Sequence, residues 1–107
     1  MSDYPLLIIT PLGKAFEGRV NSLIAPGASG SFGVLKGHAP MVIALRNGPL
    51  TIKEQDKESY FAVSSGVLEV NARSEVLLLA DSAAKTQTYQ DAKSAASRLL
   101  SLVSKDL

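Results

Sequence analysis

His38 is the single imidazole of a 107-residue chain. Acid–base or nucleophilic chemistry must therefore run through it or through hydroxyls, carboxylates and lysines. It stands between Gly37 and the Ala39-Pro40 pair, a turn setting, with no carboxylate beside it in sequence. Ser64 and Ser65 are the candidate nucleophiles of a small hydrolase using His38, but a triad cannot be assembled from sequence spacing alone. The plainer reading of His38 is a loop histidine bonded to backbone. Glu54, Asp56 and Glu58 gather around a polar segment and would hold a divalent ion weakly at best. The chain has no Cys, which excludes thiol catalysis, disulfides and Cys-ligated metal, and one His excludes a multi-histidine centre. No catalytic residue, metal ligand or cofactor is assigned.

Two further patterns invite chemistry. Gly27, Gly30, Gly33 and Gly37 resemble a phosphate loop in composition, but Lys36 precedes the last glycine and no helical pattern follows. The P-loop and the dinucleotide fingerprint both need a helix there, so turns between short strands are the better reading. Lys57, at the tip of a polar hairpin, is placed like the modified lysine of a lipoyl or biotinyl carrier domain. That carrier reading is the alternative function. Most such lysines are solvated ends that keep strand edges from pairing.

The elements that must position these residues are short. All 8 Gly and all 5 Pro lie before residue 67, and the stretch after Ala80 is rich in Ala, Ser, Gln and Lys. Turn punctuation followed by an unpunctuated Ala-rich stretch predicts a β domain followed by a helix. Apolar runs such as Leu6–Ile9, Met41–Leu45 and Val76–Ala80 have strand lengths, far below the ~18 residues that span a bilayer. Met-Ser-Asp at the start is not a basic leader region. A net charge of +1 gives no field that argues for nucleic acid.

Strand signals run through residues 5–10, 14–20, 20–25, a piece of 27–37, 41–46, 49–54, 58–64, 67–71 and 75–80, with Gly18 marking a bend or bulge. Pro26-Gly27 reads as a turn, and Asn47-Gly48 as a two-residue hairpin turn joining 41–46 to 49–54. Roughly eight or more strands at about 8–12-residue spacing predict an antiparallel two-sheet sandwich rather than βαβ units. Ala92, Ala95, Ala96, Leu99, Leu100 and Val103 form the stripe of one amphipathic helix of roughly 16 residues. Thr88 is its N-cap, Asp91 its third residue, and Lys105 complements its dipole. The division is a β-sandwich domain over 1–83 and a helical segment over 84–107.

Several strings are recognisable together. Ile9-Thr10-Pro11-Leu12-Gly13 precedes Phe16-Glu17-Gly18. Then come Ala25-Pro26-Gly27, Gly30-Ser31-Phe32-Gly33-Val34-Leu35 and Gly37-His38-Ala39-Pro40. Ala44-Leu45 with Gly48, Phe61 through Val70, and Leu79-Ala80-Asp81-Ser82-Ala83 complete the set. In this order and spacing, over residues 5–83, they resemble the epsilon subunit of F-type ATP synthases, whose mitochondrial homologue is called delta.

The resemblance implies a mainly β fold, a sandwich of about ten strands followed by helix. It also implies a non-catalytic, monomeric central-stalk part of a rotary motor, coupling ATP synthesis to hydrogen ion transport. Its partners would be the gamma subunit and the membrane c-ring, with membrane contact only through the complex. It would sit as a peripheral protein on the cytoplasmic face of a bacterial inner membrane, or on a thylakoid or mitochondrial membrane. By family position, Gly30, Ser31 and Phe32 face the c-ring loops, and His38, Ala39, Pro40 and Met41 face gamma. Gly30, Gly33 and Pro40 also read as residues the fold itself needs. Some relatives carry an acid where this chain has Ser31, pairing with basic ring loops; the resemblance implies that a hydrogen bond from Ser31 would take the place of that salt bridge. The family's ATP-binding pattern, [IL]-D-x-x-R-A, falls on Tyr89-Gln90-Asp91-Ala92-Lys93-Ser94. Tyr89, Gln90, Lys93 and Ser94 depart from it, and a lysine cannot replace the bidentate arginine fork. With one helix in place of a helical pair, the resemblance leads us to expect little ATP binding and reduced or absent hairpin inhibition of ATP hydrolysis.

Overall fold

The computed structural model describes residues 3–106, with side chains described through Arg98. Ten strands precede one helix: β1 (Tyr4–Thr10), β2 (Gly13–Val20), β3 (Ser22–Gly27), β4 (Gly30–Leu35), β5 (Met41–Leu45), β6 (Gly48–Glu54), β7 (Lys57–Val63), β8 (Gly66–Val70), β9 (Val76–Ala80), β10 (Ala83–Thr86) and α1 (Tyr89–Asp106).

Strand pairing divides them into two layers. One holds β4, β3, β6, β7 and β10, and the other β5, β8, β9, β1 and β2. The layers join at one corner through the Gly27–Leu45 pair of β3 and β5. All pairings are antiparallel except β1 with β9. The pleat sends alternate residues inward. Tyr4, Leu6 and Ile8 of β1 thereby meet Leu23 of β3, Leu50 and Ile52 of β6, and Leu68 and Leu78 of the second layer in one buried cluster. A hydrogen bond and a ring contact add to this packing between the layers. The Tyr4 hydroxyl donates to the Val34 carbonyl at 2.7 Å, and the Phe16 and Phe61 rings meet edge to face at 6.2 Å. Each fully buried Leu or Ile contributes about 1.5–3 kcal/mol.

Three local readings need correction. Asn47-Gly48 does not close a hairpin: β5 pairs with β8, and β6 with β7 and β3. Neither residue has the positive φ that a type I′ turn requires. Instead the Asn47 Oδ1 accepts the Ser65 N–H at 2.8 Å, and the chain crosses from one layer to the other. Pro26-Gly27 lies inside β3. The turn falls on Ala28-Ser29, where the Ala28 N–H donates to the Ala44 carbonyl at 3.0 Å. The bulge is not at Gly18, which pairs regularly with Leu6; the register shifts between Ile8 and Ile9, leaving Ala15 as the extra residue. β10 is a strand that the sequence pattern does not announce, since Ala-Ala-Lys-Thr carries no β signature; it adds to the edge beside β7.

The Thr88 Oγ1 accepts the Asp91 N–H at 3.0 Å, the N-cap expected from the sequence. α1 packs across β6, β7 and β10, with Ala92 and Ala96 buried. Ala62, outward on β7, is buried on the face that the helix covers. Small side chains at these positions let the helix approach the sheet closely. Leu99, Leu100, Val103 and Lys105 lie outside the residues whose side chains are described.

Candidate functional site

The two segments singled out for partner contact stand at opposite ends of one strand. Gly30, Ser31 and Phe32 open β4 directly after the Ala28-Ser29 turn. His38, Ala39 and Pro40 follow its far end, and Met41 opens β5. The rise of an extended strand puts about 17 Å between the two ends of β4. At the first end Ser31 is exposed, while the Phe32 ring packs against the core. At the second end the His38 N–H donates to the Leu35 carbonyl at 3.1 Å. The imidazole Nδ1 lies 2.8 Å from the Ala39 carbonyl. A carbonyl only accepts, so Nδ1 carries the proton. Ala39 and Pro40 are exposed, and Met41 is half-buried against the core. The Gly37 N–H donates to Ser74 Oγ at 3.2 Å and ties this loop to the turn before β9.

This placement breaks up the hydrolase constellation. Ser64 and Ser65 precede β8, at the end of the sandwich away from His38. Ser64 Oγ accepts the Ser82 N–H at 2.6 Å and acts as a loop clasp. Lys57 is not at the hairpin tip, which is Gln55-Asp56; it is the first residue of β7, opposite Glu54. Glu58 accepts the Tyr60 hydroxyl at 2.7 Å, and this bond raises the Tyr60 pKa. Burial raises that of Tyr4. Among the described residues, no group of three His, Asp or Glu side chains could hold a metal ion.

The outer face of the second layer is bare and carries an apolar row beside a mixed one. Its register aligns Ala44, Val67, Leu79 and Ile9 in one row across four strands. The next row runs Val42, Glu69, Leu77, Leu7 and Glu17. Val42 is 70% exposed, Leu79 46% and Val67 41%. A shallow cleft of about 520 Å³ opens on this face between Leu7, Leu77, Glu69 and Arg19, and another of about 410 Å³ lies over Ile9, Val67 and Leu79. Sequence reasoning did not single out this face. Its signal was present in Pro5–Thr10 and Val76–Ala80, where apolar residues fall on both faces of the strand instead of alternating.

The outer face of the first layer carries α1. Tyr89 and Lys93 of its first turns line a groove of about 340 Å³ with Arg46, Ser31 and Pro49. Gln90 and Ser94 are not part of that groove.

Residues 3–86 match the family model described as the ATP synthase delta/epsilon chain, β-sandwich domain. The ATP synthase epsilon chain of Chlorobaculum tepidum is 42% identical over 76 residues, covering 70% of this chain and 86% of the relative. That of Helicobacter acinonychis is 36% identical over 110 positions, covering 99% of this chain and 89% of the relative. A chain of the Euglena gracilis mitochondrial ATP synthase shares the fold with a TM-score of 0.75 at 20% identity, over 85% of this chain and 59% of its own length. For a chain of the Tetrahymena thermophila central stalk and c-ring assembly the TM-score is 0.66 at 15% identity, over 77% of this chain and 66% of its own.

Proposed function

The chain belongs to the ATP synthase delta/epsilon family, and on that premise we propose that it links the gamma subunit of the central stalk to the membrane c-ring. Family members are stalk subunits, not catalytic ones. In this reading, ion-driven rotation of the ring passes through the sandwich to gamma, and gamma drives ATP synthesis elsewhere in the complex. The observation that carries it is the asymmetry of the two sheet faces. One is covered by α1; the other is an exposed apolar surface of the kind that marks a protein contact. That bare face begins at β5, the strand that Met41 opens, so the segment His38–Met41 runs directly into it. The hairpin end with Gly30, Ser31 and Phe32 is left for the c-ring. A ten-stranded body with one core also suits torque transfer, because close packing makes it stiff.

Among the described residues, no helix is long and apolar enough to cross a membrane. In this reading membrane contact runs only through the complex, at the cytoplasmic face of a bacterial inner membrane or at a thylakoid or mitochondrial membrane. The departures at Tyr89, Gln90, Lys93 and Ser94 support a chain that does not hold ATP on α1, and calorimetric titration with ATP should give no heat of binding. With Ala92 and Ala96 buried against the sheet, α1 stays docked, and adding the chain to the catalytic complex should leave ATP hydrolysis uninhibited. The function itself is tested by reconstitution. Complexes stripped of this subunit should regain ATP-driven proton pumping when the chain is added. A chain that neither associates with gamma nor restores pumping would overturn the proposal.

A further inference from the structure

The segment between β4 and β5 is stiff at one end and pliable at the other. Pro40 fixes its own φ and biases Ala39 toward extended backbone. Met41, next in line, is already paired with Val70 across β5 and β8. At the other end Gly37 has φ +83°, the left-handed region where glycine moves most freely. The two bonds of His38, to the Leu35 and Ala39 carbonyls, stay within this stretch of chain. Among the described residues, the hydrogen bond that ties residues 36–40 to a distant part of the fold runs from the Gly37 N–H to Ser74 Oγ.

The turn that carries Ser74 is built to hold it still. Asn71 Oδ1 accepts the N–H groups of Arg73 at 2.9 Å and Glu75 at 3.0 Å. Asn71 Nδ2 donates to Glu75 Oε1 at 2.8 Å, and the Ser74 N–H donates to the Asn71 carbonyl at 3.1 Å. None of these bonds needs the Ser74 hydroxyl. Ser74 itself has φ +62°, where any side chain is strained and glycine is not. Glycine would relax the turn and lose only the oxygen that Gly37 uses. Strain of this kind persists where the surroundings or a function demand it.

We propose that Ser74 is a positioning residue for the gamma contact: its hydroxyl, by accepting the Gly37 N–H, sets the pose in which His38–Met41 is presented. The inference rests on the stalk reading, in which that segment faces gamma. Ser74 acts through the Gly37 backbone and needs no contact of its own with gamma. A segment already held in its bound pose loses less conformational freedom on binding, so this hydrogen bond contributes to affinity more than to the fold.

Titration calorimetry of the full chain with purified gamma, read beside urea unfolding, separates the two. Ser74→Gly removes the hydroxyl and relieves the backbone. It should unfold at or above the wild-type urea midpoint and bind gamma about fivefold more weakly. Ser74→Ala removes the hydroxyl and keeps the strain, so it should bind as weakly and unfold at lower urea. Thr88→Ala, whose loss is confined to α1, should unfold at lower urea and bind gamma as the wild type does. Hydrogen exchange at the Gly37 amide should be slowed in the wild type and fast in both Ser74 variants. Wild-type affinity in both Ser74 variants overturns the positioning role and leaves the stalk reading standing. So does an affinity that follows the urea midpoint across the three variants, or a Gly37 amide that exchanges freely in the wild type. A wild-type chain that does not bind gamma overturns the stalk reading and the proposal with it.

Discussion

Tyr4 shows how much of the fold hangs on single atoms. Its ring is buried, and its hydroxyl satisfies the Val34 carbonyl of the opposite layer. Tyr4→Phe leaves that carbonyl without its donor and should cost about 1–1.5 kcal/mol in urea unfolding. Burial holds the Tyr4 phenol above its ordinary range. The unfolded chain therefore releases this proton first as pH rises, near an ordinary tyrosine pKa of about 10. A group raised in the fold contributes stability that is complete below that pH and lost above it. From this phenol alone the loss should approach about 1.4 kcal/mol per pH unit, and Tyr4→Phe should remove that slope. Gly66 is as demanding sterically. A Cβ there would lie 1.9 Å from the Leu79 carbonyl oxygen and 2.8 Å from the Ala80 Cα. β8 and β9 would have to part, so Gly66→Ala should lose about 2–3 kcal/mol, read as a lower urea midpoint.

At the scale of elements, α1 is held by its cap and by a small-residue contact. Thr88→Ala removes the oxygen that accepts the Asp91 N–H and should cost about 1 kcal/mol. Hydrogen exchange would register it as faster exchange confined to the first turn of the helix. The same cap was readable from the sequence, because Thr, Asp and the Ala stripe are local signals and stay within one turn of each other. Strand positions were readable for the same reason: Leu68 and Val70 alternate with Val67 and Glu69, and burial follows that alternation. Pairing was not readable. Asn47-Gly48 has the composition of a hairpin turn, but a contact with Ser65, distant in sequence, draws it into a crossover. The bulge at Ala15 and strand β10 likewise depend on partners from other strands. Of the candidate sites, the hairpin end and the His38 loop could be named from motifs. The bare sheet face could not, because aligning Ala44, Val67, Leu79 and Ile9 requires the register of four strands. The Arg46–Lys93 groove joins elements that only tertiary packing brings together.

At the scale of the molecule, the sandwich has four distinct surfaces: a sheet face covered by α1, an apolar sheet face left open, and the two ends of β4 about 17 Å apart. A rotor link between two partners needs that separation, so that one contact does not obstruct the other. In the proposed function the open face seats gamma. A charged side chain placed in the apolar row should oppose that contact without disturbing the core, since both positions point outward. Titration calorimetry of the chain with purified gamma tests this directly, comparing the wild type with Val67→Asp/Leu79→Asp after circular dichroism confirms that the variant is folded. The wild type should form a measurable complex, and the variant should bind with an affinity at least about tenfold lower. Equal affinity for the two chains, or no binding of gamma by the wild type, would contradict that seating.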